Sequence, residues 1–386
     1  LLFFLVLPSV FFLYCATSAY AYDDLHYYRG QVQEVREFIP DFSMAELGQE
    51  ADVLITSGPH QGETVTVVNL YSEREFYMGT LVQEGQTIIL AVEEEHGEII
   101  GAYIQDIARD RSIWILTGIF LLTLLLIGRW KGIKTIITLA ITALVLFQVV
   151  LPLLLRGYEP IPVAVFGSVA IIISTLLIIG GTNAKSLTAI VGTTTGVVIA
   201  GLLALWAGRA ADLTGFSTQE AQILFFMDPP INIRGLLFAG IIIGSLGAIT
   251  DVGMSVASAA SEIKKTNPSI DSLRLARSAM NVGRDIMGTM ANTLILAYVG
   301  GATPLLLLLM AQGGGTAWNK IFNLDLVATE FVRGLTGSIG LVLSIPVTAI
   351  IAGFLMGNSD HHRYGVARKR NRGNYLSRPG NNDPDT

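Results

Sequence analysis

The chain has 386 residues, of which 51% are hydrophobic and 15% charged, and its mean hydropathy is +0.55. A soluble globular protein carries about 25% charged residues, so this composition is that of a membrane protein with a polar part attached. The single cysteine, Cys15, excludes a disulfide framework and a cysteine-ligated zinc or iron–sulfur centre, and 25 Lys and Arg against 31 Asp and Glu leave no basic footprint for nucleic acid.

Residues 1–21 are one apolar run ending in Ala19-Tyr20-Ala21. An apolar core followed by a small-x-small pattern reads as a signal peptide; the competing reading is an uncleaved N-terminal transmembrane helix. Residues 22–111 change character, with 18 Asp and Glu against five Arg and no Lys. Short alternating runs recur at 30–35, 51–56, 63–68, 86–92 and 98–104, separated by Ser57-Gly58-Pro59, Gln61-Gly62, Glu84-Gly85 and His96-Gly97. Five short strands in that length predict an exported acidic β-barrel of OB or SH3 type. Its charge is wrong for the nucleic-acid binding that OB barrels often perform. His96 stands among Glu93, Glu94, Glu95 and Glu98, which fits either a metal site or a solvated acidic turn, and the turn is the simpler account.

From Ile113 the pattern switches to apolar stretches at 113–127, 133–155, 161–180, 187–207, 235–260, 286–310 and 335–356. All but the first reach 20 residues, enough for a hydrocarbon core of ~30 Å, so residues 112–357 are expected to form a seven-helix transmembrane domain. With the barrel outside, 15 Lys and Arg fall in the inward turns and the tail, and five in the outward loops. That asymmetry predicts a plasma-membrane protein with its N-terminal domain outside and its C-terminus in the cytoplasm. Residues 358–386 read as a basic disordered tail able to meet anionic lipid head groups. Within the outward loop 208–234, Ser217-Thr218-Gln219-Glu220 precedes the apolar Ile223–Met227, and Asp228-Pro229-Pro230 follows, which predicts a short interfacial helix. Pro268-Ser269-Ile270-Asp271 opens a second amphipathic segment running into the sixth span.

The spans carry polar groups. Gly247, Asp251, Ser255, Ser258 and Glu262 recur at helical spacing and share one face of the fifth span, with Asp251 about four turns in. Asn281, Arg284, Gly288 and Asn292 form one stripe on the sixth, with Asp285 alongside. Two readings stand. Asp251 and Arg284 form a buried ion pair that fixes helix register, or Asp251, Ser255, Ser258, Arg284, Asp285 and Asn292 line a cavity for an ion, proton or small solute. A second polar patch holds Asn183, Thr193 and Thr194; its polar groups line a vestibule, or the hydroxyls bond to their own helix. Gly192 and Gly196, and Gly240 and Gly244, are spaced for close helix packing. There is no HExxH motif and no nucleophile elbow in a plausible context, so neither an enzyme, a metal nor a cofactor is expected.

The run Gly235–Glu262, centred on Gly247-Ala248-Ile249-Thr250-Asp251-Val252-Gly253-Met254-Ser255, resembles the YibE/F-like family of bacterial membrane proteins. So do Gly283–Tyr298 and Thr182-Asn183 with the Ala189–Gly196 stretch, and the resemblance covers roughly residues 112–356. It implies a multi-span bacterial plasma-membrane protein and supplies no substrate. The expected partners are the bilayer and either further copies of the chain or a second membrane subunit. Three functions are carried forward: a transporter or channel for an ion or small solute, a membrane scaffold whose barrel binds an envelope partner, and a lipid-handling protein.

Overall fold

The computed structural model describes residues 25–39, 47–71, 81–227, 230–312 and 321–357. The signal-peptide and tail readings of 1–21 and 358–386 fall outside the described residues. The chain divides into two compact units, Leu1–Arg129 and Trp130–Thr386.

The first unit holds strands β1 (Leu25–Phe38), β2 (Leu47–Ile55), β3 (Thr64–Tyr71), β4 (Thr87–Glu95) and β5 (Glu98–Ile107). They form one antiparallel sheet in the order β3-β2-β1-β4-β5, and the edges β3 and β5 approach each other, so the sheet is a nearly closed barrel. The alternating runs explain the interior, where Val32, Val53, Ile55, Val67, Ile88, Leu90 and Val92 are buried together. β1 pairs with β4 through its first half and β2 through its second, and Gly30 sits at the handover, opposite both Ile55 and Ile88. A side chain there would run into Val53 and lie 3.0 Å from Leu90, which is why a glycine stands at this point of the strand. Between β4 and β5, His96 (φ 53°) and Gly97 (φ 84°) both take the left-handed conformation of a two-residue hairpin turn. Buried Gln49 closes the barrel floor: its amide donates to Val82 O at 3.2 Å and accepts from Val82 N at 2.9 Å.

Nine helices are distinguished in the described residues: α1 (Asp110–Val145), α2 (Leu151–Leu155, after a π-helical turn at Leu146–Val150), α3 (Pro160–Gly180), α4 (Ala184–Ala210), α5 (Gln219–Phe225), α6 (Ile233–Thr266), α7 (Ser272–Gly301), α8 (Thr303–Gln312) and α9 (Asp325–Met356). Side-chain caps start three of them: Asn183 on Ser186 N, Thr218 on Ala221 N and Asn232 on Gly235 N. The short helix expected between the fourth and fifth spans is α5.

Five segments are long and apolar enough to cross a membrane, and the pair α7–α8, bent by 61°, makes a sixth. Seven stretches were expected. The first two lie together in the 46-residue segment Asp110–Leu155, broken where Arg129 takes φ 46° and ψ −124°. The stretch 286–310 is divided at Ala302, between Gly300-Gly301 and Pro304; two glycines weaken the end of one helix, and a proline suits the first turn of the next.

In the second unit α9 packs against α4, α6 and α7. The α4–α9 contact is made by glycines and small side chains. A methyl group on Gly192 would lie 3.0 Å from the Thr348 Cα, and one on Gly196 would lie 2.7 Å from Ser344 Cβ and 3.1 Å from Gly340 O. Small residues are what let helices approach without a hydrophobic drive between them. Pro346 lies inside α9 and removes one ladder donor. Gly192→Leu is therefore expected to lower the thermal midpoint of the full-length protein in detergent by several degrees, while Gly118→Leu, whose α1 position has nothing within 4 Å, leaves it unchanged.

Candidate functional site

The exposed face of α6 is polar at its centre. Asp251, Ser255 and Glu262 are exposed and Ser258 is half-buried, on the side opposite Ile249, Val252, Val256 and Ala260, which are buried. Helical spacing thus sorts the residues as the sequence indicates. Glu262 pairs with Lys265 at 3.1 Å, one turn on. Asp251, about five turns into α6, has neither a hydrogen bond nor an ion pair among the described residues.

The polar stripe of α7 is also exposed, at Asn281, Arg284, Asp285, Gly288 and Asn292. Arg284 donates to Asn281 Oδ1 at 3.2 Å, within its own helix. The ion pair between Asp251 and Arg284 offered as one reading is not formed in the chain. The packing explains why. Gly283, not Arg284, faces inward, where a methyl would run into Ile345 and lie 3.3 Å from Val256. Further along, a methyl on Gly244 would lie 2.9 Å from Tyr298 Oη. These two approaches set an antiparallel register in which Asp251 lies level with Gly288 and Thr289. Asp251 and the α7 stripe thus occupy the outer sides of neighbouring helices.

The second patch occupies two levels of α4. Asn183 is spent on capping: its Oδ1 accepts from Ser186 N at 3.0 Å and its Nδ2 donates to Gly180 O at 2.6 Å. Thr193 lies ten residues on, ~15 Å along the axis, buried against Gly253. Thr188 and Thr195 bond to their own helix, to Ala184 O and Val191 O, whereas Thr193 Oγ1 and Thr194 Oγ1 have no partner among the described residues. Of the four glycines expected in packing, Gly192 and Gly196 meet α9, Gly244 meets Tyr298, and Gly240 has nothing within 4 Å.

Two clusters went unread in the sequence. Between α7, α8 and α9 a groove is lined by Tyr298, Leu305, Glu330 and Arg333; Glu330 and Arg333 pair at 2.8 Å, and Tyr298 Oη is buried without a partner among the described residues. In the barrel, buried His60 lies between two carboxylates, 3.2 Å from Glu63 and 3.5 Å from Glu94, with Tyr28 donating to Glu94 Oε1 at 2.6 Å. Tyr28 and Glu94 are 66 residues apart, so only the folded barrel joins them. His96, which the sequence does single out, has its side chain 90% exposed on the hairpin turn. Among the described residues no three His, Cys, Asp or Glu side chains are grouped to hold a metal.

Long apolar helices packed through glycines, two of them with polar outer faces, place the second unit in the class of polytopic helical proteins and fit a membrane location. The chain belongs to the YibE/F-like protein family, whose description it matches over residues 116–358. The match takes in the helices and stops short of the barrel. No curated protein matches the chain, and no solved structure does.

The Tyr28 contact has a titration consequence. The hydrogen bond to Glu94, then burial and the Glu94 charge, push the phenol up from 10.0 to about 12. The neutral phenol is the stabilised form, so the contribution is complete below pH 10 and is lost as pH rises from 10 towards 12. Tyrosinate absorbance of the folded protein should show a late-titrating component that is lost in Tyr28→Phe; unchanged alkaline titration in that variant contradicts the contact.

Proposed function

We propose that the chain is a bacterial plasma-membrane transporter or channel for an ion or small solute, with its polar intramembrane site around Asp251. One observation carries this reading. Asp251 sits in the middle of a 34-residue apolar helix with no partner among the described residues. An unpaired carboxylate at hydrocarbon depth costs several kcal/mol, and residues that bear such a cost in spans usually lie on ion or proton pathways. Ser255, Ser258, Arg284, Asp285 and Asn292 supply the further polar groups. The chemistry assigned is binding and passage, not catalysis.

Seven crossings remain the proposed topology. A straight 46-residue helix would be ~69 Å long, more than twice a ~30 Å core. The break at Arg129, with Lys131 and Lys134 beside it, suits the point where the chain leaves the apolar layer between two passes. The basic residues then fall inside, the barrel outside and the tail in the cytoplasm.

The scaffold reading keeps one specific support. Tyr27, Ala91 and Tyr103 lie in one row across β1, β4 and β5, and the two tyrosines are 60% and 53% exposed on the barrel's outer face. Such an aromatic row suits a protein partner.

The test is flux in proteoliposomes for protons, sodium, potassium and divalent cations, comparing the native protein with Asp251→Asn. The expected result is native flux for at least one ion and a fall to the empty-liposome background in the variant, with equal thermal midpoints. Native flux that persists in Asp251→Asn removes Asp251 from the path. No native flux in folded, oriented protein rejects transport of these ions and favours the scaffold.

A further inference from the structure

We infer that the polar faces of α6 and α7 form a docking surface for a second copy of this chain, and that the Asp251 site is completed between the two copies. Two independent observations carry this. The first is electrostatic. Asp251 on α6 and Asp285 on α7 have no ion-pair or hydrogen-bond partner among the described residues, and Arg284 has only Asn281. These groups are exposed on the single chain. Polar groups in lipid must be satisfied, and charged ones face a protein or water-filled interior, so the face of α6 that carries Asp251 within its span is not a lipid-facing one.

The second is steric. Gly240 and Gly247 on α6 and Gly288 on α7 lie on the same exposed faces, and a methyl on any of them would meet nothing within 4 Å. The glycines that pack inside the chain behave oppositely: Gly192, Gly196, Gly253 and Gly283 would each clash. A glycine in a helix interior costs roughly 0.5–1 kcal/mol relative to alanine. Inside the chain that cost is offset by close packing. On the outer faces of α6 and α7 the approach of another helix backbone would offset it.

A second copy fits better than the chain's own first span. Residues 113–127 contain no charged side chain, and their two threonines, Thr117 and Thr123, are bonded to Ile113 O and Ile119 O of their own helix. The surface is self-complementary. α6 brings an acid and α7 brings a base, on antiparallel neighbours. A two-fold axis along the membrane normal lays α6 of one copy against α7 of the other, again antiparallel, and sets Asp251 opposite the partner's Arg284 twice over. Asp251 lies level with Gly288, one turn or ~6 Å from Arg284, which an arginine side chain spans. The proposal rests on the transport reading only for its membrane embedding, and it moves the solute path to the interface between copies.

The test counts chains and does not read flux, so it stands or falls separately from transport. Full-length protein carrying one fluorophore per chain is reconstituted at low density in phosphatidylethanolamine–phosphatidylglycerol vesicles, and photobleaching steps are counted. The expected result is two steps for the native protein, one step for Gly247→Leu and for Gly288→Leu, and two steps for Phe166→Ala, an exposed apolar position on α3. Both leucine variants replace a glycine with open space around it, so their thermal midpoints at a detergent concentration that separates the native copies should equal that of the native protein. One step for the native protein, three or more steps, or two steps retained in both leucine variants overturns the proposal. If one leucine variant fails to fold, the other decides.

Discussion

The arrangement depends on how closely α9 lies against α4. That distance is set by Gly192 and Gly196 on one side and Gly340, Ser344 and Thr348 on the other, where backbone meets backbone. A methyl on Gly340 would lie 2.8 Å from Gly196 O and 3.2 Å from the Ala200 Cα, so neither helix can gain a side chain here without separating. With that pair fixed, α6 settles with Gly253 over Thr193, and α7 settles with Gly283 between Ile345 and Val256. Each step turns a helix about its axis. The rotation of α6 that buries Gly253 exposes Asp251, and the rotation of α7 that buries Gly283 exposes Arg284. The polar faces are outward because the glycine contacts are inward.

Much of this was legible in the sequence. All five strands occur where the alternating runs and glycine-bearing turns placed them, since period-two patterning and left-handed turn residues are local signals. The family was legible from the fifth and sixth spans. Helical spacing sorted α6 correctly into an apolar and a polar face. It could not say which neighbour the polar face meets, because periodicity gives an angle about one axis and not the rotation of the next helix. For that reason Asp251 and Arg284 looked like an intrachain pair. The break at Arg129 and the division at Ala302 depend on single-residue dihedrals that hydropathy averages over a window. The Tyr28–Glu94–His60 cluster was illegible for a different cause: its members come from separate strands, and only the barrel's closure brings them together.

The two units solve the problem of buried polarity in contrasting ways. In the barrel, polar groups are satisfied within the chain. Gln49 takes both hydrogen bonds of Val82, and Arg36 reaches Glu34, Glu50 and Asp52. Among the helices, the hydroxyls of Thr188, Ser344 and Thr348 are turned back on their own backbones, while Asp251 on α6 and Asp285 on α7 have no partner among the described residues. Water can complete the first unit. In lipid only protein, or a solvated path enclosed by protein, can complete the second.

Pro346 gives the bundle a mechanical property. It lacks an N–H, so Val342 O loses its helical donor, and Ser344 and Thr348 on either side direct their hydroxyls to backbone carbonyls, an arrangement that often bends helices. The bending stiffness of α9 is therefore lowest within one turn of its tightest contact with α4. A rigid grip placed next to a compliant joint concentrates deformation: the C-terminal end of α9, seated on α7 where a methyl on Gly353 would lie 2.6 Å from Ser272 O, bends only against the Thr348–Gly192 contact, while Gly340 and Ser344 on the other side of the joint keep their hold on α4. The pivot of any such motion is written into the chain at Pro346.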